Sequence, residues 1–304
     1  MTETPTAPFK AGFVAILGRP NAGKSTLVNA LLKQKLSIVS PKPQTTRHKI
    51  LGILDGEGFQ LCLLDTPGLL GDSKDKLQDT LRVTAKRAAH DDADAIVLVV
   101  ESTLPDEKTL QEFGSLLRTG APLILAVNKI DLPASPGKHD NIIKAYETAL
   151  KPAAVVKMSA LTGAGVDELM AKLVALLPES PEPLYEKGQL SDRYERFFVA
   201  ELIREQIFDQ FQEEIPHATA VVIEAFKEKS GQPDQIAALL YVERDGQKGI
   251  LVGQKGKALK ELHDRSLKAI EEFLGREADL EIWVKVRHNW RKDLNALKEF
   301  GYLP

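Results

Sequence analysis

Gly18-Arg19-Pro20-Asn21-Ala22-Gly23-Lys24-Ser25 follows the apolar run Phe13 to Leu17 and precedes a helical segment, Ser25 to Lys35. Strand, glycine loop and helix in that order form a phosphate-binding loop, and the rest of the fold must be built around it. Glycines at both ends let the backbone turn tightly, so that successive N–H groups and the helix N-terminus converge on a β-phosphate. Lys24 is placed to reach the β- and γ-oxygens, and Ser25 to put its hydroxyl on Mg2+. A glycine-rich turn with no special purpose would not need Lys-Ser at this offset.

A second strand-like run, Pro122 to Val127, ends in Asn128-Lys129-Ile130-Asp131. Acidic side chains at the carboxyl end of a strand stand where open α/β sheets bind ligands. The Asp131 carboxylate is an acceptor-only fork that matches the N1–H and exocyclic amine of guanine, whereas adenine offers no such pair of donors. Asn128 is expected to tie this loop to the phosphate loop, and the stem of Lys129 to cover the base. After Val155 to Met158, Ser159-Ala160-Leu161 is suited to offering a backbone N–H to the guanine O6.

Between these lies Leu61-Cys62-Leu63-Leu64-Asp65-Thr66-Pro67-Gly68. Asp65 is expected to hold Mg2+ through water, and the Gly68 N–H to contact the γ-phosphate, which only a residue without a side chain can approach. Upstream, Ser40-Pro41-Lys42-Pro43-Gln44-Thr45-Thr46-Arg47 is polar and proline-rich, as a mobile switch segment would be. One of its threonines would close over Mg2+ in the GTP state.

In this order and spacing the pieces resemble the five guanine-nucleotide motifs of the translation-factor-related GTPases. Alignment of Pro43-Gln44-Thr45-Thr46-Arg47 with the Pro-Gly-x-Thr-Arg pattern of that group implies that Thr46, rather than Thr45, is the metal ligand. The implied Mg2+ set is Ser25, Thr46 and Asp65, and the implied catalytic set Lys24, Thr46 and Gly68. Position 69 is Leu where many GTPases carry a water-orienting glutamine, so slow intrinsic hydrolysis is expected. Related enzymes with an apolar residue there and an asparagine placed like Asn21 can use K+, which makes Asn21 a candidate K+ ligand.

At 304 residues the chain is long enough for two hydrophobic cores. Its apolar residues come in short runs, none near the ~18 continuous residues that a membrane span needs. The first ten residues show no secretory signal. The one cysteine, Cys62, allows no internal disulfide and fits a reducing cytoplasm, and the six histidines show no paired zinc-ligand spacing.

Alternating strand-like and helix-like segments continue to about Leu177, which predicts one α/β domain over residues 1–177. The short Glu57-Gly58 turn predicts a hairpin, and so one antiparallel edge strand in a mostly parallel sheet. Pro178 to Pro183 is apolar-poor and reads as a linker, taken as residues 178–191. Residues 192–304 then read as a smaller α+β domain. Asp192 to Gln212 is a helix with Asp192 as N-cap and Phe197, Phe198, Leu202, Ile203, Ile207 and Phe211 on its apolar face. Thr219 to Phe226 and Ile236 to Val242 are strands joined by a turn over Lys229 to Pro233. Gly253-Gln254-Lys255-Gly256 leads into a helix, Lys257 to Leu274, and a strand, Asp279 to Val286.

A Gly-x-x-Gly loop between two helices in the order α-β-β-α-α-β resembles a bacterial-type (type II) K-homology domain, whose loop clamps the backbone of single-stranded RNA. Net charge is −3, but Lys248, Lys255, Lys257 and Lys260 cluster around Gly253, Gln254 and Gly256 with no acid among them. These are the candidate RNA-binding residues. A second basic run, Lys285, Arg287, His288, Arg291 and Lys292, is either a phosphate contact or a solvated surface. Trp283 and Trp290 are expected to be packing residues, although a Trp beside a basic run can stack on a base.

The combination of Gly18 to Thr26, Pro43 to His48, Asp65-Thr66-Pro67-Gly68-Leu69, Asn128-Lys129-Ile130-Asp131, Ser159-Ala160, Gly253 to Gly256 and Leu280 to Val286 is similar to the Era family of bacterial GTPases, from about Phe9 to Leu303. The resemblance implies GTP hydrolysis and a role in maturing the small (30S) ribosomal subunit through binding of the 3′ end of its rRNA. It further implies a cytoplasmic monomer with peripheral inner-membrane association. Nucleotide-gated RNA binding is the expected mechanism, with GTP and Mg2+ recruiting Thr46 and Gly68. One alternative is a GTPase whose second domain contacts a protein or a membrane surface. Another, a P-loop ATPase or small-molecule kinase, is opposed by Asp131.

Overall fold

The computed structural model describes residues 8–68, 75–117, 120–133, 135, 137–228 and 231–303. It divides into two compact units. The first takes in residues up to 37, 46–71 and 81–192; the second takes in 38–45, 72–80 and 193–304.

The first unit contains β1 (Lys10–Gly18), α1 (Lys24–Leu32), β2 (Ile50–Gly56), β3 (Phe59–Asp65), most of α2 (Lys76–His90), β4 (Ala95–Val100), α3 (Glu107–Leu116), β5 (Leu123–Val127), α4 (Lys138–Leu150), β6 (Ala154–Lys157) and α5 (Val166–Leu176). The sheet order is β2-β3-β1-β4-β5-β6. Only the β2/β3 hairpin is antiparallel, as the Glu57-Gly58 turn predicts. Every residue of β4 and β5 is buried, which is why these strands read as unbroken apolar runs. The loops after β1, β3, β5 and β6 therefore gather at the carboxyl ends of parallel strands. Helix α1 is shorter than its sequence pattern, because Lys33 turns left-handed (φ 53°) and closes it. Cys62 is buried in β3, and burial, reinforced by Asp55 and Asp94, pushes its thiol up to about 12, where it is inert.

The proline-rich segment after α5 runs as a strap along the first unit. Pro178 O accepts from Ala11 N (3.1 Å), Phe9 O from Ser180 N (2.9 Å), and Leu190 O from Ile53 N (2.9 Å). Gly188 N donates to Asp55 Oδ2 (2.7 Å) and Ser191 Oγ to Leu51 O (2.6 Å). The Leu190 bond engages the outer edge of β2, which would otherwise stay open to another strand.

The second unit contains α6 (Glu195–Gln210), α7 (Ile215–Ala218), β7 (Ala220–Lys227), β8 (Asp234–Val242), α8 (Asp245–Val252), α9 (Lys257–Leu274), β9 (Ala278–Val286) and α10 (Leu294–Glu299). Its three strands lie in the order β7-β8-β9, antiparallel then parallel, and α6 and α9 pack on that sheet. Two expectations need correction here. Helix α6 starts after Tyr194, without a side-chain cap, so Asp192 is not its N-cap. Its polar residues Glu201, Arg204 and Glu205 are buried along with its apolar ones. Trp283 is 60% exposed, whereas Trp290 is fully buried and donates its indole N–H to Ala218 O. Lys229 and Ser230 of the expected turn lie outside the described residues.

Candidate nucleotide and RNA sites

The phosphate loop is shaped by backbone that only glycine can follow. A Cβ on Gly18 (φ 150°) would lie 2.3 Å from Val99 O, and one on Gly23 (φ 97°) would lie 2.2 Å from Asn128 Nδ2. Asn21 is exposed, at φ 63°. Lys24 is buried, and its amine donates to Arg19 O at 3.0 Å across the loop. Burial lowers Lys24 to about 8, against the pull of Asp65 and Glu101.

That shift has two consequences of defined sign. The unfolded chain holds the Lys24 proton more tightly, so this group's contribution to stability rises as pH climbs from about 8 to about 10.5. A bound triphosphate restores the charge. Nucleotide binding should therefore take up a proton, with uptake near zero at pH 7 and growing towards one per nucleotide by about pH 9. Calorimetry in two buffers of different ionisation enthalpy reads this directly; no uptake at pH 8.5 would contradict it.

Ser25 Oγ stands 2.9 Å from Thr46 Oγ1 and donates to Asp65 Oδ2 at 2.8 Å. Thr45 faces elsewhere and donates its hydroxyl to Lys42 O at 2.8 Å. Two hydroxyls and a carboxylate make a hard-oxygen set that fits Mg2+, which takes one or two carboxylates and completes its shell from phosphates and water. Among the described residues no cluster of three His, Cys, Asp or Glu could hold a metal. Thr66 Oγ1 donates to Ile16 O at 2.7 Å, pinning the β3 loop to β1. Gly68 lies against the phosphate loop, where a Cβ would come within 2.7 Å of Pro20 N. Leu69 lies outside the described residues.

Asn128 joins three loops. Its Nδ2 donates to Ala22 O (2.8 Å) and its Oδ1 accepts from Ala160 N (2.9 Å). The Ala160 N–H thus serves Asn128 in this structure. Ser159 is buried, and Asp131 is exposed beside these loops. Lys129, at φ 65°, directs its amine to the Glu101 carboxylate. Arg19 turns away to Thr109 Oγ1 on α3 (3.3 Å). Thr26 lies in the first turn of α1, partly buried.

In the second unit the turn Gly253 to Gly256 links α8 to α9. Gly253 (φ 70°) packs against α9, where a Cβ would come within 2.6 Å of Ala258 Cβ. Gly256 (φ 77°) has no atom within 4 Å of its Cβ direction and caps α9 without a side chain. An uncapped helix N-terminus beside an open glycine has the free N–H groups and the room to accept a phosphate. Lys248, Gln254, Lys255 and Lys257 are exposed around it, while Lys260 is engaged with Asp264 (2.9 Å). Ile250, exposed on α8, is an apolar neighbour that sequence reasoning missed. In the second basic run Arg287 pairs with Glu299 and Asp293, and Arg291 with Glu243 (2.7 Å) and Asp75 (3.5 Å). These arginines are occupied by structure.

Residues 13–129 match the family model described as a 50S ribosome-binding GTPase, and residues 214–291 match the KH domain. The chain is 41% identical over 299 residues to GTPase Era of Xylella fastidiosa strain M12, covering 98% of this chain and 99% of that protein. It is 42% identical over 297 residues to GTPase Era of Lactobacillus helveticus, covering 97% and 96%. The chain belongs to the Era family of GTPases. Among solved structures, it is similar to a point variant of Aquifex aeolicus Era bound to GDP.AlF4−, with TM-score 0.92 and 34% identity. Era in complex with MgGDPNP and nucleotides 1506–1542 of 16S ribosomal RNA matches with TM-score 0.92 and 35% identity. Each covers 97% of this chain and 100% of the other. The Era family fold is thus a P-loop GTPase unit with one antiparallel edge strand, followed by a KH domain.

Proposed function

We propose that this protein binds and hydrolyses GTP with Mg2+, binds the 3′ end of small-subunit rRNA, and acts in assembly of the small ribosomal subunit, with RNA affinity set by the nucleotide. The observation that carries the gating is local. Thr46 places its hydroxyl 2.9 Å from Ser25 in the first unit, while residues 38–45, one peptide bond away, group with the second. A metal and γ-phosphate that draw on Thr46 act on a segment whose other end belongs to the RNA-binding unit. Bound Mg2+ supplies charge neutralisation at the β- and γ-oxygens. Ser25 and Thr46 offer it hydroxyl oxygens, Asp65 orients its water, and Lys24 adds a desolvated cation.

The test is binding of a short RNA copying the rRNA 3′ end, against a scrambled control, to GTP-analogue-loaded and GDP-loaded protein. Tighter binding of the true sequence in the GTP state is expected, and equal affinity in both comparisons would overturn the reading. Asn21 is the proposed K+ ligand at the phosphates, so hydrolysis should run faster in K+ than in Na+; equal rates would remove that site. A monomeric cytoplasmic form with peripheral inner-membrane contact completes the reading. No described helix is long and apolar enough to cross a membrane.

A further inference from the structure

Helix α6 carries charged side chains on a buried face. Glu201, Arg204 and Glu205 are 5%, 1% and 4% exposed, one turn apart along one side of the helix. Arg204 and Glu205 meet the segment 38–45, which belongs to the same compact unit. Arg204 donates Nε to Glu201 Oε1 (2.8 Å) and Nη2 to Glu201 Oε2 (2.7 Å), and the same Nη2 donates to the carbonyl of Thr45. Its guanidinium lies over the Phe208 ring, 5.5 Å from the centroid. Glu205 Oε1 accepts from Val39 N (3.4 Å), and Lys42 Nζ caps the end of the helix on the carbonyls of Phe208 and Phe211. One helix thus holds the segment at its start, middle and end.

Such a buried ion pair is costly to form and brings little net stability, so its value lies in fixing one geometry. The bidentate, planar grip of Glu201 on Arg204 leaves the guanidinium a single orientation, and its outer edge sets the Thr45 carbonyl. The next residue is Thr46, whose hydroxyl stands at Ser25 and through it at Asp65. We infer that Arg204, oriented by Glu201, is a positioning residue for GTP hydrolysis, fixing the Thr45 carbonyl so that the Thr46 hydroxyl meets the metal. Lys42 on the α6 carbonyls is the second anchor. The inference rests on the assignment of Thr46 to Mg2+ proposed above, but not on RNA binding.

The test uses the full chain without RNA. Arg204→Gln should lower kcat at least tenfold and raise the Mg2+ concentration needed for half-maximal rate, while GDP affinity stays within twofold, because Thr46 serves the γ-phosphate state. Since Arg204→Gln also takes a buried ion-pair partner from Glu201, Lys42→Ala, at a half-buried position, is the second variant and should shift kcat and Mg2+ demand in the same direction. Combining Arg204→Gln or Lys42→Ala with Thr46→Ala should be no worse than Thr46→Ala alone. A folded Lys42→Ala protein with unchanged kcat, or losses that multiply with Thr46→Ala, would overturn the inference. Absence of RNA binding in the parent protein would instead strike the gating reading and leave this result untouched.

Discussion

Asp131→Asn is expected to weaken GTP binding roughly 10²- to 10⁴-fold, since two charge-assisted hydrogen bonds to one edge of guanine, each worth about 1.5–3 kcal/mol, are lost or reversed. The amide turns one acceptor into a donor, which then faces a donor of guanine. A base with a carbonyl at that position should gain what guanine loses, so XTP should become the better ligand. The frame around Asp131 stays intact, because Asn128 binds Ala22 O and Ala160 N independently of it. Equilibrium titration with GTP and XTP reads both halves of the prediction; undiminished GTP affinity would remove Asp131 from the base site.

Gly256→Asp should abolish RNA binding, on the order of 10²-fold or more, while leaving GTP binding unchanged. The direction of its Cβ is open space, and a carboxylate at the N-terminus of α9 suits the helix dipole, so the fold should tolerate it. The left-handed φ of 77° costs Asp about 1 kcal/mol. What the carboxylate destroys is the seat itself, occupying the place of a phosphate with the same sign of charge. Gly253→Asp is a poorer probe, since its Cβ would strike Ala258 and disturb α9 whether or not RNA binds there. RNA affinity within twofold of the parent in a folded Gly256→Asp protein would refute the clamp.

The phosphate loop, Asp65, Asn128 and the Gly-x-x-Gly turn are legible in the sequence, because each is a short stretch whose chemistry needs a particular backbone at a particular strand or helix end. Trp283 misleads as a bulky aromatic, yet its phase along β9 carries the answer. It alternates with Leu280, Ile282, Val284 and Val286 and shares a face with Asp279, Glu281 and Lys285, all exposed. The buried charges of α6 have no local signal. Glu201, Arg204 and Glu205 look like any solvated helix face, and their burial depends on distant parts of the chain, among them the segment 38–45, which brings carbonyls and an amine of its own. Asp192 fails as a cap for a related reason, since the strap through Leu190 and Ser191 is tied to the β2 strand and α6 starts only after Tyr194.

Coupling of nucleotide and RNA through one chain is measurable by linkage without locating either ligand. The ratio of GTP-analogue to GDP affinity should be determined with and without saturating 3′-end rRNA. RNA should raise the ratio by the same factor by which the GTP state raises RNA affinity. A ratio that RNA leaves unchanged would rule out nucleotide-gated RNA binding.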